Sequence, residues 1–285
     1  MRQRIISALV GLCILAALLP FLNTAALNAV ISVISALAVH EILLATKYIE
    51  NRFLAFLCIG FACVVPFMDT TLVARYLPLL CYVFFMALFL LLLIKHDTIR
   101  VEQIGFSFMM ATCIPFSLNC VILMRNYMGF GPSFFYLFYI FGSSWIADSG
   151  AYFAGMLFGK HKLCPTISPK KTVEGFIGGL VAAVVGNLLI AGIFTVLGQQ
   201  EWFVAYLGGP IRINYLLVAA LSPFCALAGV FGDLSASIIK RQCGIKDFGH
   251  IMPGHGGILD RFDSVLMVAP LVFILARIFS FAVYC

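Results

Sequence analysis

Charge is what this chain has least of. Only 11% of its 285 residues are Asp, Glu, Lys or Arg, and 63% are hydrophobic, whereas soluble globular domains are usually about one quarter charged. That excludes an ordinary soluble domain, and no nucleic acid partner is expected. No C-x-x-C pair occurs, and the ten Cys residues scatter through apolar stretches, so a disulfide framework has little to build on. Cys243, His250 and His255, at spacings of seven and five, lack the paired ligands of structural zinc. Tryptophan is scarce as well, and Trp145 and Trp202 fit membrane-interface anchors.

What is present is apolar length. Segments able to cross a hydrocarbon core of about 30 Å are read near 5–22, 25–46, 53–68, 76–94, 104–123, 134–158, 175–198, 214–239 and 262–284. The expectation is an all-α polytopic integral membrane protein of about nine transmembrane helices with a cytoplasmic N-terminus. About five spans fall in 1–130, and a C-terminal catalytic region, 131–285, carries polar loops at 159–174 and 240–261. With that topology, fourteen of the eighteen Lys and Arg residues lie on the cytoplasmic side. Three, Arg75, Arg125 and Arg212, lie opposite, and Arg277 is left inside the last span. This obeys the positive-inside rule and puts both loops on the cytoplasmic face of a cell inner or plasma membrane. Arg2 and Arg4 ahead of an apolar run also fit a signal peptide, whose removal would not reorient the later spans.

Two stretches hold most of the chemistry. In Ser237–Asp263, Lys240, Arg241, Lys246 and Arg261 supply cations, and Asp247, Asp260 and Asp263 supply carboxylates. Gly254, Gly256 and Gly257 let backbone come close to a ligand. Asp233, Ser237, Lys240 and Arg241 fall at i, i+4, i+7 and i+8, one helical face leading from bilayer to cytoplasm. Asp260 and Asp263 are three apart, so both can point the same way. Carboxylates within apolar spans, such as Asp148 and Asp233, demand a cation or a polar cavity. Together these are parts of a phosphate and metal site: Mg²⁺ takes one or two carboxylates plus substrate phosphates, and two ions can clamp an in-line displacement. Asp233, Asp260 and Asp263 are the first choice of ligands, with Asp148 as a fourth or as their partner. Buried structural ion pairs remain an alternative for Asp148 and Asp233, as does anionic-lipid binding for Ser168–Lys171.

Other features read as packing. Gly155-x3-Gly159-Lys160-His161 is one residue short of a P-loop and has His where Ser or Thr would bind Mg²⁺. Gly175, Gly178, Gly179 and Gly186 mark a close helix contact. Thr172-x-Glu174 lacks capping-box spacing, so Glu174 is read as organising the site. His40 and Glu41, in the second span, read as an internal pair, with admission of lipid as the alternative.

The second stretch, Ala147–Gly175, contains Asp148, Ala151 and Tyr152 as Asp-x-x-Ala-Tyr and Ser168 to Gly175 as Ser-Pro-Lys-Lys-Thr-x-Glu-Gly. With Ser-x-x-Lys-Arg-x4-Lys-Asp and His-Gly-Gly-x-x-Asp-Arg-x-Asp downstream, the chain resembles the phosphatidate cytidylyltransferases, or CDP-diacylglycerol synthases. The departures are Met156 and Met252, and outside about 140–265 the likeness is one of hydropathy alone. The resemblance implies that CTP and phosphatidate give CDP-diacylglycerol and pyrophosphate, with Mg²⁺ in what is expected to be a two-metal site. The implied metal ligands are Asp148, Asp233, Asp260 and Asp263. Lys170, Lys171, Lys240, Arg241, Lys246, Asp247 and Arg261 fall to catalysis, and Ser168, Tyr152, Glu174, Ser237, His255, Gly256 and Gly257 to substrate binding. A CTP-dependent polyprenol or phytol kinase, releasing CDP, and an anion transporter are the rival readings. The lack of an internal repeat speaks against the transporter. Membrane lipids are expected partners, and the glycine faces leave a homodimer open.

Overall fold

A computed structural model of the chain describes residues 19–251 and 256–285. The chain divides into two compact units, Met1–Ile122 with Gln242–Phe262, and Leu123–Arg241 with Asp263–Cys285. Helices dominate both, as they must in a bilayer, where each backbone N–H and C=O needs an internal partner. Six helices among the described residues are long and apolar enough to cross a membrane, and Arg52–Phe67 is a shorter apolar one. The first expected span, 5–22, lies almost wholly outside the described residues. The all-α polytopic membrane fold stands.

In the first unit, α1 (Ala25–Ala45), α2 (Arg52–Val64) and α3 (Thr71–Ile94) begin on capping side chains. Thr24, Asn51 and Thr70 accept from the N–H groups of Ala26, Leu54 and Val73, each such cap contributing about 1 kcal/mol. α1 packs on α2, burying Val39, Ile42 and Leu43 of one and Leu54 and Cys58 of the other. Two polar side chains inside this packing are satisfied locally: Asn28 donates to the Pro66 carbonyl (2.7 Å) and to Asp69 (2.8 Å), and Ser32 to the Cys63 carbonyl (2.8 Å). α4 (Val101–Met128) follows.

The second unit is built on a helical run expected at 134–158 and observed from 130 to 158. It comprises α5 (Phe130–Phe141), a π-helical turn (Gly142–Ile146) and α6 (Ala147–Phe158). The π turn carries Ser143, which accepts from Asn187 Nδ2 (2.8 Å). Asn187 also donates to Ser222 (2.9 Å), and Ser222 reaches the Tyr139 hydroxyl (3.2 Å). All four residues are buried, so this network ties three helices together inside an apolar core.

Among the described residues α6 packs extensively along α7 (Val173–Leu197). Glycine makes it possible. A Cβ at Gly178 would overlap Ala154, one at Gly150 would overlap Ala182, and one at Gly179 would stand 2.9 Å from the Ala147 carbonyl oxygen. The glycine faces expected as helix contacts are therefore used within the chain, so they no longer argue for self-association.

Strands appear where the sequence reading had only loop or helix. Loop 159–174 contains an antiparallel hairpin, β1 (Lys162–Cys164) and β2 (Ser168–Thr172), with an irregularity between its two pairs. After α8 (Glu201–Leu207), β3 (Ile211–Ile213) leads into α9 (Tyr215–Gln242). The expected last span, 262–284, is found as the apolar helical run Leu259–Phe279, one of the six long enough to cross, with its end corrected. It comprises a short helix α10 (Leu259–Phe262) and then α11 (Val265–Phe279), which ends at Ser280 in the left-handed region (φ 46°). β4 (Ala282–Tyr284) then pairs antiparallel with β3, Arg212 opposite Val283. The Tyr136 hydroxyl accepts from Ala282 N–H and donates to its carbonyl, fixing this strand against α5. A short apolar run reads the same to hydropathy whether helix or strand.

Adding a single methyl at Gly178 should lower thermal stability in detergent by about 1–3 kcal/mol, the usual range for overpacking. Gly192→Ala, on the same helix with nothing within 4 Å of its added Cβ, should be neutral or slightly stabilising. Equal effects at both positions would refute close packing of α6 on α7.

Candidate active site

Three local devices hold the hairpin against α7. Thr172 caps α7, accepting from Gly175 N–H (3.1 Å). Val173 N–H donates to the His161 carbonyl (2.9 Å). Glu174 Oε2 accepts from the backbone N–H groups of Lys160 (3.0 Å) and His161 (3.2 Å), while its Oε1 meets the His161 ring Nδ1 (2.6 Å). Glu174 thus closes the loop onto the helix start. Gly155 and Gly159 leave room for Thr172, since a Cβ at either would stand 2.9 Å from its hydroxyl.

On β2, Lys170 and Lys171 are neighbours and so point to opposite faces. Lys170 is exposed, whereas Lys171 is partly covered and its ammonium pairs with Asp233 Oδ2. On α9, Ser237 lies one turn beyond Asp233, 3.5 Å from its Oδ1, and Lys240, 8% exposed, lies below the surface. Arg241 is exposed and extends its Nε toward the Ile167 carbonyl at 3.5 Å. The helical face drawn from spacing is therefore a real stripe.

Asp263 joins the same cluster. Asp233, Lys240 and Asp148 all lie close enough to interact with it electrostatically. Ser264, missed in the sequence reading, links two of the carboxylates: its hydroxyl lies 3.2 Å from Asp148 Oδ2 and 3.4 Å from Asp263 Oδ1, and its N–H donates to Asp263 Oδ1 (2.7 Å). Gly232 lets α9 come this close, because a Cβ there would overlap the Asp263 carbonyl. Three aspartates thus converge with two lysines. Among the described residues no three Asp, Glu, His or Cys side chains form a ready-made metal cage. Mg²⁺ does not require one: it takes one or two carboxylates and completes its shell with phosphate oxygens and water. The oxygen-only donor set fits such an ion.

In the first unit, Lys246, Asp247 and Arg261 are exposed. Asp260 Oδ2 accepts from the backbone N–H groups of Phe248 (2.8 Å) and Gly257 (3.0 Å). Gly256 takes a positive φ of 83°, and His255 lies outside the described residues. Ser168 is half-buried at the start of β2, and Tyr152 is exposed on α6 with its ring edge-on to Phe153. Glu41, expected to pair with His40, instead accepts from the N–H groups of Ile258 and Leu259. The available signal was a carboxylate placed within an apolar span.

Comparison with known proteins decides the family. The profile of the Cytidylyltransferase family matches residues 2–279. The chain belongs to the cytidylyltransferase family. A relative from Bacillus subtilis (strain 168), named phosphatidate cytidylyltransferase, is 42% identical over 200 residues, 68% of either chain. Proteins of the same name from Staphylococcus haemolyticus (strain JCSC1435) and Staphylococcus aureus (strain N315) are 41% and 42% identical over 158 residues. Those alignments cover 52% of this chain and 55% of the staphylococcal ones. The aspartate and lysine cluster lies within the residues that the family profile matches.

The Lys171–Asp233 pair is about one quarter exposed at each partner, between the surface and buried limits for ion pairs. A double-mutant cycle with Lys171→Met and Asp233→Asn should give a coupling of about 1–3 kcal/mol in thermal unfolding. Strict additivity of the two single changes would mean that the pair contributes nothing.

Proposed function

We propose that this chain transfers the cytidylyl group of CTP to phosphatidate, giving CDP-diacylglycerol and pyrophosphate for phospholipid synthesis. The observation that carries the reading is the convergence of Asp148, Asp233 and Asp263 with Lys171 and Lys240 in a member of this family. The names of the relatives supply the substrates. The fourteen-to-three imbalance of basic residues supports a cytoplasmic placement of the polar loops, where nucleotides are found.

In this mechanism a phosphatidate oxygen attacks the α-phosphorus of CTP in line. The bond to the β-phosphate oxygen breaks, and pyrophosphate departs with the bonding electrons. A phosphate oxyanion is already nucleophilic, so no protein nucleophile and no strong general base are assigned. Positioning and charge neutralisation dominate such transfers.

Asp148, Asp233 and Asp263 would hold Mg²⁺, which when bound supplies charge neutralisation on the triphosphate and the lipid phosphate. Ser264 keeps Asp148 and Asp263 in register. Lys171 and Lys240 balance the carboxylates before substrate arrives and phosphate oxygens afterwards, with Lys170 and Arg241 adding exposed positive charge. Lys acts as a compact charge, whereas Arg offers a fork to phosphate oxygens. Glu174 and Thr172 fix the hairpin that carries the lysines. His255, Gly256 and Gly257 would hold the nucleotide, and Asp260 shapes their turn through backbone N–H groups.

Purified protein in mixed micelles with phosphatidate, Mg²⁺ and CTP labelled at the α-phosphate should place label in the lipid and release pyrophosphate, and chelator should abolish both. Formation of CDP with a polyprenol acceptor would instead make the protein a kinase. Asp263→Asn should lower the rate by about 100-fold or more, the scale of losing one preorganised electrostatic group, with thermal stability near wild type. Parallel loss of fold and activity would favour a purely structural ion cluster.

A further inference from the structure

Glu41 is an acidic residue near the end of the apolar helix α1, and it is only 1% exposed. Both of its oxygens are engaged by backbone far away in sequence: Oε1 accepts from Ile258 N–H (3.0 Å) and Oε2 from Leu259 N–H (2.8 Å). The same carboxylate occupies the space left by two glycines. A Cβ at Gly249 would overlap Oε1, and one at Gly257 would overlap Oε2. Asp260 holds the segment as well, with Oδ2 accepting from Phe248 and Gly257. Two carboxylates therefore pin the described backbone on both flanks of the Gly-rich turn. Only one of them lies within the segment itself.

Consecutive N–H groups directed the same way need two acceptor atoms side by side. An ionised Glu supplies both, and charge-assisted bonds to backbone N–H groups offset the burial of its charge. Gln has one acceptor and would turn an NH₂ group toward the second N–H. Ala would leave both donors facing a void.

We propose that Glu41 is a positioning residue for the nucleotide-binding turn: its carboxylate fixes Gly249 and Gly257–Leu259, and thereby sets where the Gly256–Gly257 backbone meets the nucleotide. The inference rests on the reading of this turn as the contact for CTP.

The test uses the full chain in detergent with Glu41→Gln, and Gly249→Ala, whose added Cβ would overlap Oε1, as a second route to displacing the carboxylate. Two readouts are taken: cytidylyl transfer at varied CTP and varied phosphatidate, and hydrogen exchange at the amides of Ile258 and Leu259. Both variants should raise the apparent KM for CTP about tenfold, as loss of a charge-assisted hydrogen bond implies. The KM for phosphatidate and kcat should stay within about threefold of wild type. Exchange at Ile258 and Leu259 should quicken while α6 and α7 stay protected. Unchanged CTP kinetics together with unchanged exchange would overturn the proposal. So would a uniform fall in kcat and in both affinities with faster exchange throughout, which marks a purely structural residue. If wild type transfers no cytidylyl group, the reading of the activity fails by itself; exchange at the two amides and direct CTP binding then decide the role of Glu41.

Discussion

Carboxylates among apolar helices are the constraint on which the second unit depends. On insertion scales each costs about 2.5–3.5 kcal/mol at the middle of a span, so none persists there without compensation. Asp233 obtains it from Lys171, and Asp263 accepts from the Ser264 N–H (2.7 Å). Ser264 offers its hydroxyl to both Asp148 and Asp263.

Bringing these groups together depends on removing side chains as much as on supplying them. Gly232 allows α9 to approach the Asp263 carbonyl, and Gly150, Gly178 and Gly179 allow α6 and α7 to touch along their length. Lipid tails are as apolar as Leu, so close backbone contact and interhelical hydrogen bonds take over the role that water-driven burial plays elsewhere. The Asn187, Ser143, Ser222 and Tyr139 network adds such bonds just before Asp148, at the π turn.

The first unit solves a different problem with the same groups. Its Gly-rich segment has backbone donors that no regular element satisfies, and buried unpaired N–H groups cost about 1–3 kcal/mol each. Glu41 and Asp260 take four of them. An acidic side chain here acts as backbone scaffolding rather than as chemistry, although from sequence the two uses look alike.

Composition and spacing made the membrane fold legible, along with the α9 stripe of Asp233, Ser237 and Lys240 and the glycine contact of α6 with α7, because each depends on hydropathy or helical period within one segment. The hairpin, the β3–β4 pair and the end of α11 at Phe279 were not legible, since short apolar or polar runs carry no decisive period. Asp260 was legible as a carboxylate of the polar loop, but its backbone partners were not: Oδ2 accepts from the N–H groups of Phe248 and Gly257. By itself the sequence determined which residue types were available and which helices carried them. Only the tertiary structure decided that Lys171 rather than Lys170 reaches Asp233, that Ser264 links Asp148 to Asp263, and that Glu41 serves backbone at Ile258 and Leu259. Those partners lie far apart in the chain, and the pairing of donors with acceptors is set where elements meet, not by any local repeat.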